Sequence, residues 1–147
     1  MKTIERAVEI SATAEQAWAV LTDFAAYPGW NPFVQEVSGE LVPGGRLTVR
    51  LRPPGGKGMT FRPRLLVVTP ARELRWLGRF LVPGLFDGEH SFVITPTGAA
   101  SCRLVQAEKF SGLLTLMSKG LLEGTAQGFD AMNAAFKART ESLARAA

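Results

Sequence analysis

Charged and apolar side chains alternate from Lys2 to Ile10, with Ile4, Val8 and Ile10 on one face and Thr3, Glu5 and Glu9 on the other. This period of two predicts a half-buried strand. Thr13-Ala14-Glu15-Gln16 then has the spacing of a capping box, and Ala14, Ala17, Trp18 and Leu21 recur at helical spacing, so a short helix follows. Asp23 is placed to cap a second helical turn through Tyr27, which Pro28 ends. From Val34 to Phe110 alternating runs are separated by Pro43-Gly44-Gly45, Pro53-Pro54-Gly55-Gly56, Pro70-Ala71, Pro83-Gly84 and Pro96-Thr97-Gly98. Five such turns predict six strands, over roughly residues 34–42, 46–52, 59–69, 73–81, 87–95 and 101–110. Strands joined this tightly should be antiparallel neighbours.

After Gly112 the proline punctuation stops. Leu114, Met117, Leu121, Phe129, Met132, Phe136 and Leu143 then fall near one face of a long amphipathic helix, Leu113 to Arg145. A helix of that length reaches about 50 Å, enough to cross a curved sheet. Gly120, Gly124 and Gly128 recur along it, interrupted by Lys119, Glu123 and Gln127, which rules out a membrane dimer motif. The glycines either let the helix backbone approach another element closely or leave room beneath it.

One segment fits neither period. Tyr27-Pro28-Gly29-Trp30-Asn31-Pro32-Phe33 holds three aromatic rings and two prolines, which remove backbone donors, so Gly29 to Phe33 reads as an extended, ordered loop. Its rings need an apolar place, over the core or at the mouth of a cavity.

Composition narrows the class. At 147 residues, 46% hydrophobic and 20% charged, the chain fits one domain spanning 1–147 with a sizeable core. No apolar run approaches the ~18 residues of a membrane span, so no integral membrane association is expected. The first ten residues lack a signal-peptide pattern, which makes a cytoplasmic location the expectation. The single cysteine, Cys102, allows no internal disulfide and no multi-cysteine metal site. A net charge of +4 is modest. Arg46, Arg50, Arg52, Arg62, Arg64, Arg75 and Arg79 fall on the outward strand face without interleaved aromatics, so that face reads as solvated and no nucleic-acid partner is expected.

The order of elements, the Tyr27 to Phe33 segment, Gly88-Glu89-His90-Ser91-Phe92 and Glu108-Lys109-Phe110-Ser111-Gly112-Leu113-Leu114 together resemble the START-like (SRPBCC) superfamily. More narrowly, the chain is similar to the bacterial branch of polyketide cyclase/dehydrase and lipid-transport-like proteins. The resemblance covers essentially the whole chain. It implies an α+β helix-grip fold: a seven-stranded antiparallel curved sheet wrapped around the C-terminal helix, with two short helices after strand one. It also implies an apolar cavity between sheet and helix that holds a lipid, isoprenoid, steroid or aromatic polyketide. Carriers, cyclases, hormone receptors and chaperone co-activators share this fold, so the fold does not choose among them.

Strand parity identifies the inward face independently of that resemblance. Cys102, Leu104, Gln106, Glu108 and Phe110 share one face, as do His90, Phe92 and Ile94, and Leu74, Trp76 and Phe80. Met59, Phe61, Leu65 and Val67 lie opposite Arg62 and Arg64, and Leu47, Val49 and Leu51 complete the lining. His90, Gln106 and Glu108 are thus polar groups in an apolar basin, on two strands joined by a hairpin. An apolar setting favours the neutral form of a carboxyl group, and a neighbouring His can pair with it or relay a proton. Such a pair suits carbonyl polarisation or proton abstraction, and equally suits a hydrogen-bonded network that orients a ligand.

Ligand contacts are therefore expected from Trp30, Phe33, Phe61, Trp76, His90, Phe92, Gln106, Glu108, Phe110, Met117, Phe129 and Met132. The first functional expectation is binding of a small apolar ligand. The alternative is an aldol-type cyclase or dehydratase with Glu108 and His90 as its acid/base pair. A third is a protein-interaction module using the basic sheet face. One His and one Cys on separate positions do not make a metal site, and no phosphate-cradling loop opens a helix, so neither metal nor cofactor is expected. A homodimer is compatible with the sequence.

Overall fold

The strand runs expected from alternation are present, but the third of the six is cut in two at Pro63. The computed structural model describes residues 2–80, 86–112 and 119–147. In chain order the elements are β1 (Lys2–Ile10), α1 (Ala14–Thr22), a 3-10 helix (Phe24–Gly29), β2 (Val34–Gly39), β3 (Leu47–Leu51), β4 (Met59–Phe61) and β5 (Arg64–Thr69). They continue with β6 (Glu73–Phe80), β7 (Phe86–Gly98), β8 (Ser101–Ser111) and α2 (Lys119–Ala146). Pro63 has no N–H to give a ladder, so β4 closes one sheet and β5 opens another. The described residues thus hold eight strands, not seven, in sheets ordered β1-β8-β7-β6-β5 and β2-β3-β4. The main class is the expected one: an α+β helix-grip fold with antiparallel pairing throughout.

The seam between the sheets is hydrogen-bonded. Arg46 and Arg64 form a single antiparallel bridge, and Gly44 N and Leu47 N donate to the carbonyls of Leu65 (2.8 Å) and Pro63 (2.9 Å). The two ladders therefore make one curved wall. A β-bulge between Leu65 and Val67 reverses the face of everything after it. Leu65 is buried as expected, but Val68 packs on the core while Val67 stands opposite Arg75, which corrects the inward assignment of Val67. Met59 is also displaced from the expected lining, being 38% exposed on the short edge strand β4.

The capping box forms as expected: Thr13 Oγ1 accepts from Gln16 N, and Gln16 Oε1 accepts from Thr13 N. Asp23 precedes the 3-10 helix but makes no side-chain cap, and Pro28 lies inside that helix instead of ending it. The tighter turn is anchored by its aromatic: Tyr27 is fully buried and its hydroxyl donates to the Leu21 carbonyl. Burial, reinforced by the nearby Asp23 charge, holds the Tyr27 phenol proton far above its ordinary range.

The buried face of α2 carries Thr125, Phe129, Met132, Asn133, Phe136 and Thr140. Leu143, expected on this face, is 46% exposed because Thr140 and Ala144 hold the inward positions of the last turns. Residues 113–118 of the expected helix, Leu114 and Met117 among them, lie outside the described residues, as do the side chains of Leu121 and Phe80. At 28 residues α2 is about 42 Å long. It is tied to the start of the chain, where Lys137 Nζ donates to the Glu9 carbonyl (2.9 Å) and Ser11 N to Glu141 (2.8 Å).

Candidate functional site

Three of the polar residues singled out by parity meet on the inner wall. The register of β7 and β8 pairs His90 with Glu108 and Phe92 with Gln106, so the two strands bring the three side chains side by side. His90 Nε2 lies 2.9 Å from Gln106 Oε1, and His90 Nδ1 lies 3.2 Å from Glu108 Oε2. The three residues are at most 9% exposed. Around the imidazole stand Phe92, stacked at 4.6 Å, with Trp76 and Phe129 each at 5.0 Å. This aromatic box encloses His90 and leaves the Glu108 carboxyl as its less covered neighbour, with side-chain exposures of 3% and 12%.

A fourth member, not identified from strand parity, comes from the helix. Asn133 Nδ2 donates to the Arg6 carbonyl (3.3 Å), so its Oδ1 is free to accept from Gln106 Nε2 (2.8 Å). A backbone carbonyl only accepts, and that single fact orients the chain of bonds. Gln106 must then present Oε1 to the histidine, whose Nε2 carries the proton and donates it. The other ring nitrogen, Nδ1, faces Glu108. The contact is close but not aligned as a hydrogen bond, and Glu108 Oε2 is buried with no hydrogen-bond partner among the described residues.

Small residues let this carboxyl pack closely onto the sheet backbone. Gly78 and Gly88 are cross-strand partners on β6 and β7. A Cβ on Gly88 would come within 3.1 Å of Glu108 Oε1, and one on Gly78 within 3.2 Å of the Phe61 ring. Phe110, buried, lies beside the carboxyl over Gly88, and Phe61, half-buried, packs over the neighbouring Gly78.

The aromatic loop is divided between two places. Phe33 is 1% exposed and meets Phe129 edge-on at 5.8 Å, so it supports the aromatic box from behind. Its backbone N–H and that of Val34 donate to Asn31 Oδ1 at 3.0 and 2.9 Å, which orders the loop. Trp30 instead meets Tyr27 at 5.2 Å and Phe136 at 5.8 Å. Phe136 is two turns, about 10 Å, along α2 from Phe129. The loop therefore does not bring Trp30 and Phe33 to one shared mouth; Trp30 lines a shallow hollow with Val20, Asp23, Arg139 and Leu143. Met132 is fully buried, and Met117 lies outside the described residues.

Among the described residues no three His, Cys, Asp or Glu side chains gather as metal ligands, and no helix is long and apolar enough to cross a membrane. Cys102 is buried, and burial pushes its thiol up from the ordinary value.

A family model described as polyketide cyclase / dehydrase and lipid transport matches residues 1–147. The chain belongs to this family. Within the START-like superfamily to which it is assigned, solved structures share the fold at low identity. A START superfamily protein from Mycobacterium smegmatis is 20% identical, covering 96% of this chain and 98% of its own, with a TM-score of 0.76. The Zhui aromatase/cyclase from Streptomyces sp. R1128 is 19% identical, covering 99% and 96%, with a TM-score of 0.81. A norcoclaurine synthase point mutant from Thalictrum flavum, in complex with a transition-state analogue, is 16% identical, covering 97% and 95%, with a TM-score of 0.73. No curated protein matches the chain. The family is consistent with apolar-ligand binding or with cyclase activity; the side chains must decide between them.

Proposed function

We propose that this family member binds a small apolar molecule with one hydrogen-bonding end, a fatty acyl, isoprenoid or aromatic polyketide compound, and orients that end at Glu108. The observation that carries the reading is the buried Glu108 Oε2, which has no hydrogen-bond partner among the described residues and only the unaligned His90 Nδ1 beside it at 3.2 Å. A buried carboxyl oxygen left unmatched costs about 1–3 kcal/mol or more, a cost a ligand hydroxyl or enol would remove. Phe61, Phe110 and Phe129 supply apolar walls, while Gln106 and Asn133 orient His90 and do not themselves reach for the ligand.

A second reading rests on the fixed histidine tautomer. With Nε2–H committed to Gln106, Nδ1 is the one ring edge turned towards Glu108, 3.2 Å from its Oε2. In an aldol-type cyclisation or dehydration, the Glu108 carboxylate would take a proton from an activated carbon and deliver it to the alkoxide formed or the hydroxide expelled, with His90 orienting the carboxyl group. The same experiment separates the two readings. Native mass spectrometry of gently purified protein, followed by titration with matched probes bearing or lacking a hydroxyl end, should show saturable binding, with the hydroxyl probe weakened roughly tenfold in Glu108→Leu. No copurified ligand and no saturation with any probe would sink the binding reading. Turnover lost in Glu108→Gln and His90→Ala with binding retained supports the enzyme; activity unchanged in both removes these residues from any mechanism.

A further inference from the structure

On the opposite, outer face the arginines do not behave alike. Arg75 is neutralised: its Nε lies 2.7 Å from Glu73 and its Nη1 2.6 Å from Glu89, two carboxylates that hold its charge firmly on. Arg46, Arg62, Arg64 and Arg79 are exposed and form no ion pair among the described residues, yet they converge. With Leu77 they line a hollow of about 120 Å³ in which no carboxylate takes part among the described residues. The sheet seam places them. The Arg46–Arg64 bridge joins β5 to the turn before β3, Arg64 lies opposite Leu77 on β6, and Arg62 and Arg79 stand two residues along from that pair. Arg46 Nη1 donates to the Arg62 carbonyl at 3.1 Å, which turns one guanidinium along the rim. Asp87, opposite Arg79 in register, is not among the groups lining the hollow.

Four like charges around one concavity repel each other, and they do so least when an anion sits between them. Guanidinium groups present paired N–H donors that match tetrahedral oxyanions better than single-point acceptors. The space exceeds the ~10–15 Å³ that one water needs and is small for a macromolecular side chain cluster. We propose that this hollow is a phosphate site, taking inorganic phosphate or the phosphate end of a monoester, separate from the inner wall and independent of what binds there.

The test is titration of the full chain with inorganic phosphate, phenyl phosphate or acetate at ionic strength held constant with potassium chloride, followed through the arginine side-chain Nε–Hε resonances. Saturating shifts confined to Arg46, Arg62, Arg64 and Arg79 are expected, with acetate at least about tenfold weaker than phosphate. Arg62→Gln with Arg64→Gln should weaken phosphate by at least about tenfold, whereas Arg52→Gln with Arg72→Gln, an equal loss of charge outside the hollow, should leave it unchanged. Tighter binding of phenyl phosphate assigns the site to an ester, and equal binding to the phosphate group alone. Linear shifts spread over all exposed arginines, equal loss in the two double variants, or acetate matching phosphate would overturn the proposal. Unfolding curves of each double variant confirm that both remain folded, so a loss of binding reads the site and not the fold.

Discussion

Gly128→Ala tests how the aromatic loop is wedged against the helix. A Cβ at Gly128 would stand 2.3 Å from Phe33 Cδ1, 2.4 Å from Cε1 and 2.8 Å from Cγ. No atom pair tolerates that approach, and Phe33, 1% exposed and set against Phe129, has no free space to retreat into. Gly124, one turn earlier on the same helix, meets only Pro53 Cβ at 3.5 Å, an ordinary contact. Both changes gain helix propensity, up to about 1 kcal/mol. Only Gly128→Ala also overpacks, at about 1–3 kcal/mol. The two variants should therefore move apart, Gly124→Ala gaining a few tenths to 1 kcal/mol and Gly128→Ala losing about 1–2. In urea, with a slope near 1–3 kcal/mol/M, their midpoints should differ by roughly 0.4–3 M. Phe33→Val, which removes the ring, should make a subsequent Gly128→Ala neutral or stabilising, the signature of direct coupling. A Gly128→Ala midpoint equal to or above that of Gly124→Ala would refute the wedge.

Two further outcomes follow from the hydrogen bonds. Asn133→Ala leaves the buried Gln106 Nε2 without its acceptor, so it should cost about 1–3 kcal/mol and release the His90 ring from a single tautomer, visible in its ¹⁵N shifts; a ring unchanged in tautomer would show that Asn133 does not orient the network. Glu141 is held below its ordinary value by its hydrogen bond from Lys137 first and from the Ser11 N–H second. A lowered carboxylate adds stability that is complete above the unfolded-state value and is lost as the pH falls through the folded-state one. Glu141→Gln should thus be less stable than wild type at neutral pH, by up to about 1 kcal/mol, with the gap closing on acidification to about pH 3. A gap unchanged down to that pH would assign it to packing.

Parity along strands was enough to place His90, Gln106 and Glu108 on one inner wall, because β7 and β8 run in unbroken register through that region. The same reasoning failed at Val67, where a single bulged residue reverses the face without any residue type that betrays it. It failed differently at residues 59–69. There Pro63 stood in plain view inside an alternating run, and its missing N–H was the sign that one strand was two. The aromatic loop was legible as ordered and as seeking apolar contact. Where each ring goes depends on Asn31 fixing the backbone locally and on Gly128 making room for Phe33, which is a tertiary fact.

Asn133 was legible in principle. It lies four residues after Phe129 and three before Phe136, on the helix's buried stripe, where an amide has no reason to be unless something polar faces it. Helix and sheet therefore each carry half of one polar device. The sheet alone would leave the Gln106 amide free to flip and the imidazole free to place its proton on either nitrogen. The helix removes that freedom through a backbone carbonyl of β1, whose own register to β8 sets Arg6 opposite Gln106. Which ring nitrogen of His90 faces Glu108 without its proton committed elsewhere is thus a consequence of how α2 docks on the first strand. Any change that slides this helix, at Gly128 or at the Lys137 and Glu141 ties, should reach the candidate site without touching it.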